Sequence, residues 1–163
     1  MLPPKQKMAF SPIYNETSKV LILGSFPSVK SREISFYYGN KQNRFWNMLC
    51  GYFDHAIPQD NAKKQTFLLK NGIALWDIVA ACEIEGSADS NIKNVEIADL
   101  TKIFQTANIQ LILLNGTLAF QLFETRYKGI DIQYDKMPST SPANPRYDQQ
   151  SWWSALNAVF QLR

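Results

Sequence analysis

Apolar residues along the chain fall into two kinds of pattern. Val20-Leu21-Ile22-Leu23, Ile73-Ala74-Leu75-Trp76 and Ile109 to Leu114 are short continuous runs without helical spacing. Such runs predict strands that are buried on both faces. Ile130 to Tyr134 is a weaker fourth run. Elsewhere the apolar positions recur every three or four residues, as on one face of a helix. Phe45, Trp46 and Leu49 predict a helix from Asn43 to about Leu49, stopped by Gly51. Asp60 is placed to cap a helix running to about Asn71, with Gly72 just beyond it. Ile97, Leu100, Ile103 and Phe104 predict an amphipathic helix over Val95 to Thr106, and Glu83 to Asn94 reads as a polar surface connection. Asn115-Gly116-Thr117 opens a helix in which Leu118, Leu122 and Phe123 share a face; Trp152, Leu156, Val159 and Phe160 mark a last helix capped by Asp148.

Strands alternating with helices predict an α/β domain with a parallel sheet covered on both sides. One domain accounts for residues 1–163, and residues 1–18, with Pro3, Pro4 and Pro12, read as an extended arm laid on its body.

One connection is out of proportion. The first strand ends in Gly24 and Pro27, and the loop that follows carries Ser25, Phe26, Ser28, Lys30, Arg32, Phe36, Tyr37, Tyr38, Asn40, Lys41, Gln42, Asn43 and Arg44. Aromatics, amides and cations are interleaved there. Long loops inside compact domains are more often functional than structural, and ligands of open α/β sheets bind outside the carboxyl ends of the strands. The active site is therefore expected in this loop. Asn115, again a polar amide at the carboxyl end of a buried strand, is a further candidate. Its plainer role is a helix N-cap, as it is for Asn43.

Gly24-Ser25-Phe26-Pro27-Ser28 followed by Tyr37-Tyr38-Gly39-Asn40-Lys41-Gln42-Asn43-Arg44-Phe45-Trp46 resembles the hypoxanthine-DNA glycosylase branch of the uracil-DNA glycosylase superfamily. Leu75-Trp76-Asp77-Ile78-Val79 with Cys82 to Ser90 resembles that branch's middle signature, and Pro138-Ser139-Thr140-Ser141-Pro142-Ala143-Asn144 its C-terminal motif. The resemblance implies a three-layer α/β/α sandwich around a small, mainly parallel four-stranded sheet. It also implies a monofunctional DNA glycosylase of base excision repair, hydrolysing the N-glycosidic bond of deaminated bases without a cofactor or metal. Hypoxanthine (deoxyinosine) is the implied base, with uracil and xanthine as further candidates.

Such an enzyme must extrude the nucleotide, stack its base and hold the base edge. The implied base pocket is Gly24, Ser25, Phe26, Tyr38 and Asn115, with Phe36 and Tyr37 as other stacking candidates. Better-known relatives place an acid or amide before the proline of the first motif. Phe26 stands there in this chain, so no carboxylate acts from that position. The branch instead uses an asparagine of the pattern Asn-x-Phe-Trp, which is Asn43; Asn40 is the runner-up. An amide is no base at neutral pH, so it would act by orienting a water or donating to the purine. Relatives also begin the C-terminal motif with a histidine, whereas this chain has Met137-Pro138 and its one histidine, His55, lies elsewhere. The implied DNA-contacting residues are Pro27, Ser28, Arg44, Ser139, Thr140, Ser141, Pro142 and Asn144. On composition alone, Phe26 is equally a core residue and the Pro-Ser-Thr-Ser-Pro stretch a rigid turn.

A net charge of +3 permits DNA binding without pointing to it. Placement adds more, because Lys30, Arg32, Lys41 and Arg44 share the first loop while Lys136 and Arg146 flank the last motif. Two cysteines far apart, Cys50 and Cys82, exclude a disulfide framework or a four-cysteine cluster. With no membrane-length apolar run and no signal-peptide core, the expected location is the cytosol or its nucleoid. A mononucleotide-binding or flavodoxin-like module would need a glycine-rich phosphate loop, and neither GxxxxGK[ST] nor GxGxxG occurs. The remaining rival is a catalytically inactive DNA-binding or damage-sensing protein on the same fold.

Overall fold

The computed structural model describes residues 6–8, 10–27, 36–83 and 93–163. Its elements run β1 (Gln6–Met8), β2 (Val20–Gly24), α1 (Phe45–Tyr52), α2 (Asn61–Lys70), β3 (Ile73–Asp77), β4 (Val79–Glu83), β5 (Lys93–Ile97), α3 (Thr101–Thr106), β6 (Leu111–Asn115), α4 (Thr117–Tyr127), β7 (Gln133–Met137) and α5 (Gln149–Asn157). Strands β3, β2, β6 and β7 form a four-stranded sheet in that order, parallel throughout.

Two cores result from period-2 alternation on strands that are buried on both faces. Val20, Ile22, Ile73, Leu75, Leu111 and Leu113 point to one side and meet Phe45, Met48, Leu49, Tyr52, Phe67, Leu68, Trp152 and Leu156 of α1, α2 and α5. Leu21, Leu23, Ala74, Ile112 and Leu114 point to the other and meet Ile103, Ala119 and Phe123 of α3 and α4. This is the expected three-layer sandwich. Among the described residues no helix is long and apolar enough to cross a membrane.

The caps at Asp60 and Asp148 are found, with side chains accepting from Lys63 N and Gln150 N. Other expectations need correction. Helix α1 starts two residues later than Asn43 and runs through Gly51, where a side chain would crowd Trp153, 3.3 Å from the Cβ position. The helix expected over Val95 to Thr106 is a strand followed by a helix of only six residues. Lys93–Ile97 pairs antiparallel with β4, which also pairs with β1, and the three make a second small sheet. Local periodicity could not reveal a partner strand some fifteen residues earlier. Strand β7 begins at Gln133 rather than Ile130, after a turn through Gly129, and Val159 and Phe160 lie past the end of α5 while still packing on its core.

Within the expected arm, Ile13 bridges Leu75 at the edge of the main sheet. Tyr37 Oη donates to the carbonyl of Ser11 at 2.8 Å, and Trp76 Nε1 to that of Phe10 at 2.8 Å. The arm's backbone is thus tied to the loop before α1.

Candidate active site

Register brings the strands to a common end. Gly24 pairs with Asp77, Leu23 with Leu114, and Asn115 with Met137, so the carboxyl ends of all four strands lie along one edge. A cleft of about 580 Å³ opens there. Its walls are Gly24 to Pro27, Tyr37, Tyr38, Asn40 and Asn43 from the first loop, Asp77, Asn115 to Leu118, and Ser139 to Ala143. Of the residues expected at the site, Arg44 and Asn144 are outside this lining, and Ser28 lies outside the described residues, as do Lys30, Arg32 and residues 84–90 of the middle signature. Phe36 belongs to the core, its ring 6.1 Å from that of Trp46 in a stacked arrangement.

Asn43 stands one residue before the N-cap of α1 and also lines the cleft. Its Oδ1 accepts from Phe45 N at 2.9 Å, satisfying an orphan donor at the start of α1. That bond fixes the amide's orientation and leaves its two Nδ2 hydrogens for the cleft that Asn43 lines. Asn40 Oδ1 accepts from Gln42 N at 3.0 Å, and the Asn40 carbonyl accepts from Asn43 N at 2.9 Å, so the two asparagines frame one tight turn. Tyr38 sits at φ +53°, which turns its ring onto Phe45 with centroids 4.0 Å apart. Phe26 is half-buried, packed on the second core while also lining the cleft.

Asn115 and Thr140 form the hinge between the two walls. Asn115 Nδ2 donates to Tyr38 Oη at 3.1 Å and to Thr140 Oγ1 at 3.0 Å, and its Oδ1 accepts from Thr140 N at 3.0 Å. Every group in this network is buried or nearly so, which makes each bond costly to lose. Asn115 is therefore a brace as well as a lining residue. Arg44 does the same from outside. Its Nη2 donates to the carbonyls of Ser141 and, at 2.8 Å, Asn144, while the guanidinium lies 4.4 Å from the Tyr147 ring centroid. Arg44, expected to contact DNA, here grips the backbone of residues 140–144. Asn144 is engaged likewise, donating to the Ser139 carbonyl at 2.9 Å and accepting from Arg146 N. Pro142 and Ala143 form the exposed tip of this wall.

The residue that sequence reasoning passed over is Asp77. It closes the buried run of β3, is 3 % exposed, and its Oδ2 has no hydrogen-bond partner among the described residues. Burial pushes its carboxyl up to about 7. Burial, and then the nearby Asp77, also drive the phenols of Tyr37 and Tyr38 far above their ordinary range. A Cβ on Gly24 would stand 2.6 Å from Asp77 Oδ1 and 2.9 Å from Tyr38 Oη, so only glycine lets the acid and the phenol approach the strand end. A carboxylate ending an otherwise apolar strand beside Gly24 was the available signal.

Comparison with known proteins agrees with this architecture. A family model described as the uracil DNA glycosylase superfamily matches residues 11–161. A protein of Methanosarcina acetivorans named hypoxanthine DNA glycosylase is 37% identical over 158 residues, 92% of this chain and 97% of that protein. Its namesake in Methanosarcina barkeri is 31% identical over 153 residues, covering 91% and 96% of the two chains. A solution NMR structure of a Methanosarcina acetivorans protein, provisionally named a uracil DNA glycosylase, superposes with a TM-score of 0.81 at 34% identity, over 96% of this chain and 98% of that one. Since the family match runs through every residue that lines the cleft, this chain belongs to the uracil DNA glycosylase superfamily.

Proposed function

We propose that this protein is a monofunctional DNA glycosylase that removes deaminated bases, hypoxanthine first among them, by hydrolysing the bond between base and deoxyribose. The observation that carries the reading is the cleft at the strand ends, with the Asn43 amide held by its own cap bond so that its donors are left for a ligand. The names of the relatives supply the base.

Breaking the bond leaves positive charge on the sugar and negative charge on the departing base. Donors fixed in advance near the base lower the energy of that state. Asn43 serves as such a donor: one lone pair of its Oδ1 is already engaged, so donation from Nδ2 to a purine acceptor is its stronger chemistry. Extrusion of the nucleotide puts the base in the cleft, where Phe26 and Tyr38 offer rings and Asn40 a second amide. The tip at Pro142 and Ala143 presses on the DNA, while Arg44 and Asn115 hold that wall to the first loop. Uracil and xanthine share the lactam edge of hypoxanthine and enter as secondary substrates.

The test is cleavage of oligonucleotides carrying deoxyinosine, deoxyuridine, deoxyxanthosine or no lesion, as single and double strands, with wild type and Asn43→Ala. Abasic product from deoxyinosine, lost in the variant, is the expected result. Affinity for inosine-containing DNA without any abasic product would make the chain a damage-binding protein instead.

A further inference from the structure

We propose that Asp77, enclosed at the carboxyl end of β3 on the floor of the same cleft as Asn43, is the proton donor to the departing base. The inference rests on the glycosylase reading and adds to it a group that the sequence motifs did not assign.

Three observations point to it. The carboxyl is buried and its Oδ2 lacks a partner among the described residues, although the large majority of buried side-chain polar atoms have one. Gly24 is the residue that makes room for it. No cation among the described cleft residues stands ready to hold it as a carboxylate. The groups facing it are Tyr37 and Tyr38 from the first loop, both titratable and both kept neutral by burial. Asn115 at the end of β6, Thr117 just after it, and Ser139 to Ser141 after β7, which line the same cleft, are all uncharged. Left without charge compensation, the acid keeps its proton to a pH of about 7. A donor that is protonated near neutrality is what general-acid work requires.

In the step, the bond between C1′ of the sugar and N9 of the purine breaks and its electron pair passes to the base. The Asp77 proton moves to an acceptor atom of the base, which leaves neutral. Water forms the new bond to C1′ and releases one proton, which restores Asp77. Reactants and products therefore balance as nucleoside plus water giving abasic sugar plus free base, with no oxidant or metal.

The experiment is the single-turnover rate on a deoxyinosine duplex between pH 5.5 and 8.5, for wild type and Asp77→Asn. The wild-type rate is expected to fall about tenfold per pH unit above the acid's pKa. The variant should be about 100-fold slower at pH 6 and lack that descending limb. Ionisation of the substrate itself is common to both proteins and so cancels in their ratio. His55, the one histidine, lies outside the cleft against Phe67. Variant rates within threefold of wild type, or the same descending limb in both, would remove the role of Asp77 and leave the glycosylase intact. If the variant does not fold, a wild-type rate that stays flat to pH 8.5 overturns the proposal by itself. No product from wild type at any pH would remove both readings together.

Discussion

Replacing Asp77 by asparagine should make the protein more stable, and by an amount that depends on pH. Burial raises the carboxyl from 3.8 to about 7 in the folded state. A shift of about three units corresponds to about 4 kcal/mol between folded and unfolded proteins once both have ionised. The sign follows from where the proton sits. Below about pH 4 the acid is protonated in both states and costs nothing through ionisation. From there to about pH 7 the unfolded chain loses its proton while the folded one keeps it, so stability falls as pH rises. Above the folded pKa the loss is complete. Asparagine fills nearly the same space and does not ionise, so its curve lacks this slope. For a chain of this size, about 4 kcal/mol corresponds to roughly 8 to 16 °C in Tm. Thermal unfolding of both proteins from pH 4.5 to 8.5 gives the comparison directly. Other titrating groups, such as Asp99 with its lowered pKa, are present in both proteins and cancel in the difference. The Tm gap should widen steadily across the window and then level off. Parallel Tm curves would refute the claim that Asp77 holds its proton in the folded state.

Three further outcomes are expected. Asn43→Asp keeps an acceptor for Phe45 N and loses the amide donor, so it should hold its Tm while inosine cleavage drops about 100-fold or more; equal loss of both would reduce Asn43 to a cap. Gly24→Ala forces a methyl group to within 2.6 Å of Asp77 Oδ1, and should cost about 1–3 kcal/mol in denaturant unfolding together with most of the activity. Arg44→Lys cannot reproduce a fork onto two carbonyls, so amide exchange at residues 139–144 should quicken while the core strands stay protected.

Much of this architecture is legible in the residues. The runs at Val20, Ile73 and Ile109 stand out because parallel strands covered on both sides have no polar face to interrupt them. The caps at Asp60 and Asp148 are equally local, each satisfied within three residues. The second sheet is hidden for the opposite reason: Val95 and Ile97 fit a helical face as well as a strand, and what decides is pairing to β4. Within the site, the list of cleft residues was largely accessible from the motifs. The employment of those residues was less so. Arg44 looks like any loop cation until its carbonyl partners, 97 and 100 residues away, are in view. Asp77 offers the sequence only the hint of an acid ending an apolar run; its character comes from enclosure and from the lack of a partner for Oδ2 among the described residues, which letters do not carry.

The grip of Arg44 has a consequence for how this wall of the cleft can change. Its guanidinium holds main-chain oxygens of Ser141 and Asn144, and Asn115 likewise holds the main-chain nitrogen of Thr140. Main-chain atoms are the same whatever side chain they carry. Pro142 and Ala143, exposed between these anchor points, can therefore be exchanged for other residues while the loop keeps its course. Variation, natural or engineered, has here a place to alter the tip proposed to meet DNA without rebuilding what holds the loop in position.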